Sequence, residues 1–283
     1  MPPSLRLATY FHVHLVSDST GETLNAMARA VCARFEGVLP IEHIYALVRS
    51  RRQLDRVLQE IEGAPGVVLH TIVDKELRAA LEEGCRRVEM TCIAALDPLT
   101  SALARYLGAS LSTRVGAQHI LDSGYFERMD ALTFAMAHDD GQGAAELEAA
   151  DVVLVGVSRT SKTPTSIYLA NRGVRAANVP LAPGIEPPQQ LFELNRPLVV
   201  GLTVSPDRLI QIRRNRLLSM REERESAYIE EEAVREEIVR ARRLFERQKW
   251  PVIDVTRRSI EETAAAVINL LSLREGHVAE ILA

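Results

Sequence analysis

The chain has 283 residues, 47% of them hydrophobic and 25% charged, a balance that suits one large or two ordinary globular domains and does not suggest disorder. Its 34 basic and 38 acidic residues leave a net charge of −4, so no overall basic field draws it to nucleic acid or an anionic membrane, and any basic site is local. The three cysteines, Cys32, Cys85 and Cys92, are expected as reduced, buried thiols of a cytoplasmic protein, and neither a signal peptide nor a run of ~18 apolar residues suited to a membrane span is present.

From Tyr10 onward an extended apolar segment precedes a helical one four times, with strands expected near 10 to 17, 41 to 48, 66 to 73 and 88 to 96. Such alternation implies a parallel sheet. In the first helix Leu24, Met27, Ala28, Val31, Cys32 and Phe35 recur at three- and four-residue spacing, which predicts one face packed on that sheet. The turn before it, Ser17-Asp18-Ser19-Thr20-Gly21-Glu22-Thr23, lies beyond a strand's carboxyl end, where open α/β sheets bind ligands; equally, Ser19 or Thr20 could simply cap the helix. His12 and His14 share one face of the first strand and are expected in a core or strand-end role.

The stretch 109 to 124 is polar and without a clear period, and it places the boundary between an N-terminal α/β domain, 1–110, and a second α/β domain, 111–283. Next, Phe126, Met129, Thr133 and Met136 mark a helix that ends in His138-Asp139-Asp140-Gly141. A short buried strand at 152 to 155, a loop at 156 to 163 and a helix at 165 to 171 follow. Strands at 174 to 181 and 198 to 204 flank a connection with Pro183, Pro187 and Pro188. Ser205 and Pro206 open a helix carrying Arg213, Arg214 and Arg216. A charged helix near 229 to 248, a strand at 251 to 256 and a final helix begun by the capping box Ser259 to Glu262 complete a chain with no visible internal repeat.

The loop Gly156-Val157-Ser158-Arg159-Thr160-Ser161-Lys162-Thr163 fits the phosphate-loop pattern G-x-x-x-x-G-K-[ST] except for Ser161 at the second glycine. In that pattern backbone amides converge on phosphate oxygens, the lysine adds a point charge and the hydroxyl can bind Mg²⁺. The second glycine often needs positive φ; a serine there costs about 1–2 kcal/mol, so either the loop geometry differs or the strain is tolerated. A nucleophile elbow at 156 to 160 is the competing reading, but Thr160 stands where the elbow needs glycine. Phosphoryl transfer also requires a carboxylate to accept a hydroxyl proton, and Asp139 and Asp140 are the candidates upstream of the loop, although the pair also suits a solvated helix stop. Asp254 competes as a metal ligand or merely serves its turn, and Arg213, Arg214, Arg216, Arg221 and Arg224 form a solvated face or meet phosphate.

Taken together, these segments resemble one family, the bacterial and plant regulatory proteins of pyruvate, phosphate dikinase. The likeness runs from His12 to the last helix. It rests on the turn at 17 to 23, Tyr125-Phe126-Glu127-Arg128-Met129-Asp130-Ala131, His138-Asp139-Asp140-Gly141 and 156 to 164. It continues through Ser166-Ile167-Tyr168-Leu169-Ala170-Asn171-Arg172-Gly173, Ala177-Asn178-Val179-Pro180, Gly201-Leu202-Thr203, Ile212-Arg213-Arg214-Asn215-Arg216-Leu217 and Ser259-Ile260-Glu261-Glu262-Thr263-Ala264. Serine at 161 is common in that family.

The resemblance implies a bifunctional serine/threonine kinase. With ADP as donor it phosphorylates an active-site threonine of the dikinase; in the reverse switch, inorganic phosphate attacks the phosphothreonine and leaves as pyrophosphate. A sister group acts on phosphoenolpyruvate synthase, and its first turn lacks the Ser19 and Gly21-Glu22 arrangement, so the dikinase is the expected protein partner. The expected site is Gly156, Val157, Ser158, Arg159, Thr160, Ser161, Lys162 and Thr163 for nucleotide and phosphate, with Thr163 on Mg²⁺, Lys162 on the transferring charge, and Asp140, seconded by Asp139, as proton acceptor. A homodimer is left open. A small-molecule kinase and a nucleotide-sensing, nucleic-acid-binding module are the alternatives in other classes.

Overall fold

The computed structural model describes residues 9–111, 123–220 and 228–282, and the chain divides into two compact units, Met1–Ile120 and Leu121–Ala283. Most of the polar stretch where the sequence places the boundary, and also Arg221 and Arg224, lie outside the described residues.

In the first unit the strands are β1 (Thr9–Val16), β2 (Val38–Tyr45), β3 (Gly66–His70) and β4 (Cys92–Ala94), all parallel in the order β2-β1-β3-β4. The helices are α1 (Glu22–Cys32), α2 (Arg51–Gly63), α3 (Lys75–Arg87) and α4 (Asp97–Leu107). Ser50 accepts the Gln53 amide to cap α2, and Asp74 accepts those of Glu76 and Leu77 to cap α3, bonds typically worth about 1 kcal/mol each. Leu54, Val57 and Ile61 of α2 and Leu81 and Cys85 of α3 pack with Val16 and Val68 into one core, while Leu24 and Ala28 of α1 pack with Val13 and Leu15 into another.

Two expectations for this unit are corrected. The apolar face of α1 is buried only through Leu24 and Ala28; the helix ends at Cys32, so Phe35 is not on it, and Val31 and Phe35 are exposed. The three cysteines are free thiols, but only Cys85 is fully buried.

The second unit opens with α5 (Ser123–Ala137) and a 3-10 turn at Ala144–Ala149. Then come β5 (Val152–Val157), α6 (Lys162–Ala170), β6 (Ala176–Leu181), the single-turn α7 (Gln190–Glu193) and β7 (Leu198–Thr203). The helices α8 (Pro206–Met220) and α9 (Glu231–Gln248), β8 (Val252–Asp254) and α10 (Ile260–Leu282) complete it. The sheet is again parallel, in the order β6-β5-β7-β8. The sequence shows no repeat, yet the two sheets repeat one topology: the first strand is central, the second lies on one side and the third and fourth on the other.

As the central strand, β5 is buried on both faces, which is why it is a continuous apolar run and not an alternating one. Burying its valines and Leu154 supplies on the order of 10 kcal/mol of transfer free energy. The helix marked by Phe126, Met129, Thr133 and Met136 forms, but the three large residues among them are exposed; its buried residues are Ala131 and Ala135, which meet Ala170 of α6. Small side chains allow these helices to pack closely, and a hydrophobicity pattern gives large residues more weight than alanines. The capping box of α10 forms as expected, with Ser259 N–H donating to Glu262 at 2.8 Å and Glu262 N–H to Ser259 Oγ at 3.1 Å.

In each sheet one edge strand contains a proline, Pro40 in β2 and Pro180 in β6, and the other edge strand, β4 or β8, is 3 residues long. Among the described residues no helix is long and apolar enough to cross a membrane.

Candidate active site

The connection from β5 to α6 lies beyond the carboxyl end of the central strand, where chain crossovers leave the sheet in opposite directions and a crevice opens. Gly156 is required there by space: a Cβ would come within 2.7 Å of the Leu202 carbonyl oxygen and 2.8 Å of Thr160 Oγ1. Arg159 (φ 72°) and Ser161 (φ 59°) are left-handed and Thr160 between them is not, an alternation that turns successive amides toward one concave side. Ser161 therefore takes the conformation usually assigned to glycine, and the strain, about 1–2 kcal/mol, is tolerated.

Lys162 is 6% exposed, and its ammonium donates to the carbonyls of Gly156 and Val157, both at 2.9 Å. Burial lowers its pKa to about 8, against the pull of the Asp140 and Asp139 carboxylates, which raise it. The charge is thus held inside the loop, on groups that an anion can replace.

Ser158, Arg159, Ser161, Lys162 and Thr163 line a cleft of about 350 Å³ together with Asp139, Asp140 and Ile212. Gly156, Val157 and Thr160, also expected in the binding set, lie behind it: two offer carbonyls to Lys162, and the Thr160 hydroxyl donates to Val157 O at 2.9 Å. Thr163 Oγ1 donates to Asp139 Oδ1 at 2.7 Å, so a hydroxyl and a carboxylate oxygen meet in the cleft, the hard donors that Mg²⁺ takes along with phosphate oxygens. Asp140 is exposed to the cleft, and no hydrogen bond to its carboxylate is formed among the described residues.

Sequence reasoning missed Asn178, which sits behind both aspartates on β6 and bonds to each. A signal was available, since it is the polar side chain within the apolar strand 176–181. Also missed was the burial of Arg213. It is 1% exposed, bonds both oxygens of Glu237 at 2.7 and 3.2 Å, and donates to the carbonyls of Tyr228 at 2.9 Å and Ser158 at 3.4 Å. Its guanidinium also lies 4.3 Å from the centre of the Tyr228 ring. The solvated basic face is therefore made by Arg214 and Arg216, while Arg213 holds the phosphate-type loop from behind.

Other candidates fall elsewhere. Ser158 is paired with the Tyr228 hydroxyl at 3.4 Å, not with the histidine that a nucleophile elbow needs. Asp254 accepts the Thr256 amide and hydroxyl and serves its own turn. In the first unit His14 is buried between Tyr45 and the Ala64 carbonyl, and His12 bonds His43. The turn at 17 to 23 caps α1 with Gly21 in the left-handed region and without a side-chain bond, so capping does not explain its hydroxyls.

A family model described as kinase/pyrophosphorylase matches residues 13–268. A protein from Caulobacter vibrioides that bears the name of a pyruvate, phosphate dikinase regulatory protein is 74% identical over 278 residues, covering 98% of this chain and 88% of the relative. A protein of the same name from Maricaulis maris is 60% identical over 96% of this chain and 97% of its own length. Another, from Bradyrhizobium diazoefficiens, is 58% identical over 94% and 96%.

Proposed function

This chain belongs to the kinase/pyrophosphorylase family, and from that premise we propose that it switches pyruvate, phosphate dikinase off and on in the cytoplasm. Using ADP, it phosphorylates an active-site threonine of the dikinase; using inorganic phosphate, it removes the group as pyrophosphate. One observation carries this reading: a cation suited to phosphate, Lys162, and a carboxylate with no competing hydrogen bond among the described residues, Asp140, face the same cleft. Both reactions are in-line transfers at phosphorus, so one such cleft serves both.

In the forward direction the loop amides and Lys162 hold the β-phosphate of ADP, and the ammonium exchanges its carbonyl partners for phosphate oxygens. Asp140 takes the threonine proton as the threonine oxygen bonds the β-phosphorus and the bond to the α-phosphate oxygen breaks, releasing AMP. In reverse, a phosphate oxygen bonds the phosphorus of phosphothreonine as the bond from that phosphorus to the threonine oxygen breaks; Asp140 passes the proton of the attacking phosphate to the threonine oxygen, and the pyrophosphate formed departs. Thr163 and Asp139 would hold Mg²⁺, which neutralises phosphate charge when bound. Arg159, at the cleft edge, reaches the same oxygens.

The test mixes the protein with the dikinase or with phosphoenolpyruvate synthase, and with ADP or ATP labelled in the β-phosphate. The expected result is label from ADP on a threonine of the dikinase, released as pyrophosphate when phosphate is added. Label on the synthase alone would change the target and keep the chemistry. Label on neither would return the chain to a small-molecule kinase. Asp140→Asn is expected to slow transfer by roughly 10² to 10⁴ with nucleotide affinity nearly intact; a collapse of affinity would make Asp140 a ligand instead of the base.

A further inference from the structure

We propose that Asn178 is a positioning residue of the transfer reaction, sorting two adjacent carboxylates into two roles. It fastens Asp139 beside Thr163 and sets the backbone from which Asp140 faces the cleft. This rests on the reading of that cleft as a phosphoryl-transfer site.

Neighbouring side chains on a regular helix or strand point in different directions, so two adjacent aspartates do not enter one cleft without a bend in the backbone. The bend here is at Asp140, whose φ of 52° is left-handed, a conformation that persists for a non-glycine residue only where its surroundings hold it. Asn178 supplies the hold. It is 1% exposed in the middle of β6, with Ala177 and Val179 on either side. Its Oδ1 accepts the Asp140 amide at 3.0 Å, and its Nδ2 donates to Asp139 Oδ1.

The backbone of the same residue continues the clamp. Asn178 N–H donates to His138 O at 3.1 Å, and Asn178 O accepts the Gly141 amide at 2.9 Å. Each residue from His138 to Gly141 is thus bonded to Asn178. A buried amide is retained where its polar atoms find partners, and both ends of this one are spent on the aspartate segment.

The consequence for the chemistry is a division of labour. Asp139 Oδ1 accepts from both Asn178 and Thr163, which suits it to hold the hydroxyl and a cation and leaves it poorly placed to receive a substrate proton. Among the described residues Asp140 is hydrogen-bonded through its amide alone, so its carboxylate is left to the substrate. Asn178 does not line the cleft and acts through these two residues.

The test compares wild type, Asn178→Ala, Asp140→Asn and the double variant in single-turnover label transfer from ADP across a range of pH, with ADP affinity measured separately. Asn178→Ala is expected to slow transfer on the order of 10- to 100-fold with ADP affinity changed by less than about threefold, and to move the acidic limb of the pH profile. In the Asp140→Asn background the same substitution should cost less than it does in wild type, because the part of its effect that runs through Asp140 is already lost there. Full multiplicative loss in the double variant, or affinity falling in step with rate, would overturn the proposal. Should Asn178→Ala fail to fold, Asn178→Asp keeps the shape and the bond to the Asp140 amide, loses the one to Asp139, and should be slowed in the same range; an undiminished rate would overturn the proposal. Amide exchange decides the matter without any acceptor protein: Asp140 N–H should lose protection at least about tenfold in Asn178→Ala, and unchanged protection would sink the clamp. Absence of label transfer by wild type would instead defeat the reading of the site.

Discussion

Two parallel sheets with one strand order end their central strands in opposite ways. In the first unit β1 leads to Asp18, a buried carboxylate that accepts the Val73 amide at 2.7 Å, while Arg49 donates to its backbone carbonyl at 2.8 Å. The Ser17 hydroxyl oxygen accepts from Ser19 N–H and from Thr71 Oγ1. These bonds join the ends of neighbouring strands. In the second unit β5 leads to a buried ammonium, Lys162, resting on two carbonyls of its own loop. The contrast teaches that topology provides a crevice twice, and that the sign and commitment of the buried charge decide what each crevice is equipped for.

Lys162→Met attacks that contrast most directly. It should reduce both the ADP-dependent and the phosphate-dependent reaction by about 10³-fold, with the fold intact by circular dichroism and thermal melting. Retention of one reaction with loss of the other would break the idea that a single loop serves both. Asp18→Ala tests the opposite member. It leaves the Val73 amide without its acceptor and should destabilise the first unit by about 1–3 kcal/mol in denaturant unfolding; a change within about 0.5 kcal/mol would show that this carboxylate is not a structural tie.

The lowered pKa of Lys162 gives a third test. An arriving phosphate favours the ammonium and raises its pKa above the ligand-free value of about 8, so binding takes up a proton above that pH. Affinity for ADP should be nearly flat below pH 8 and fall by up to about tenfold per unit above it, which calorimetry in buffers of different ionisation enthalpy would detect. For stability the sign is the reverse. The folded pKa lies below the ordinary 10.5, so the cost of burying the ammonium is present below pH 8 and is relieved as pH rises from 8 to 10.5. Wild type should therefore gain stability on Lys162→Met over that interval. The smallest effect is expected from Ser161→Gly, which relieves a left-handed serine and should stabilise by at most about 1 kcal/mol with transfer retained. Lost transfer would show that the serine hydroxyl itself meets phosphate.

What could be read from the sequence was local. The strand, loop and helix at 152–170 announce themselves because the loop chemistry is contiguous, and the capping box at Ser259 and Glu262 needs only three-residue spacing. Asp139 and Asp140 could be named as candidates, but their different roles could not, because the residue that separates them is 38 positions away from Asp140. Arg213 looked like one more surface charge in a basic run; its partner Glu237 belongs to another charged helix, and only packing of α8 on α9 brings them together. The shared sheet order was equally hidden, since topology is preserved here by strand placement and not by recurring residues.

The sheet edges bear on how the protein behaves in a crowded solution. An edge strand presents unpaired backbone groups on which another chain can extend the sheet, and long, regular edges promote self-association. Here Pro40 and Pro180 each remove a donor from one edge, and three-residue strands limit the other, so that neither sheet offers a long uninterrupted ladder. Resistance to aggregation is thus built into the same β6 strand that carries Asn178 two residues before its proline, and a Pro180→Val change would extend the template for intermolecular pairing immediately beside the aspartate clamp.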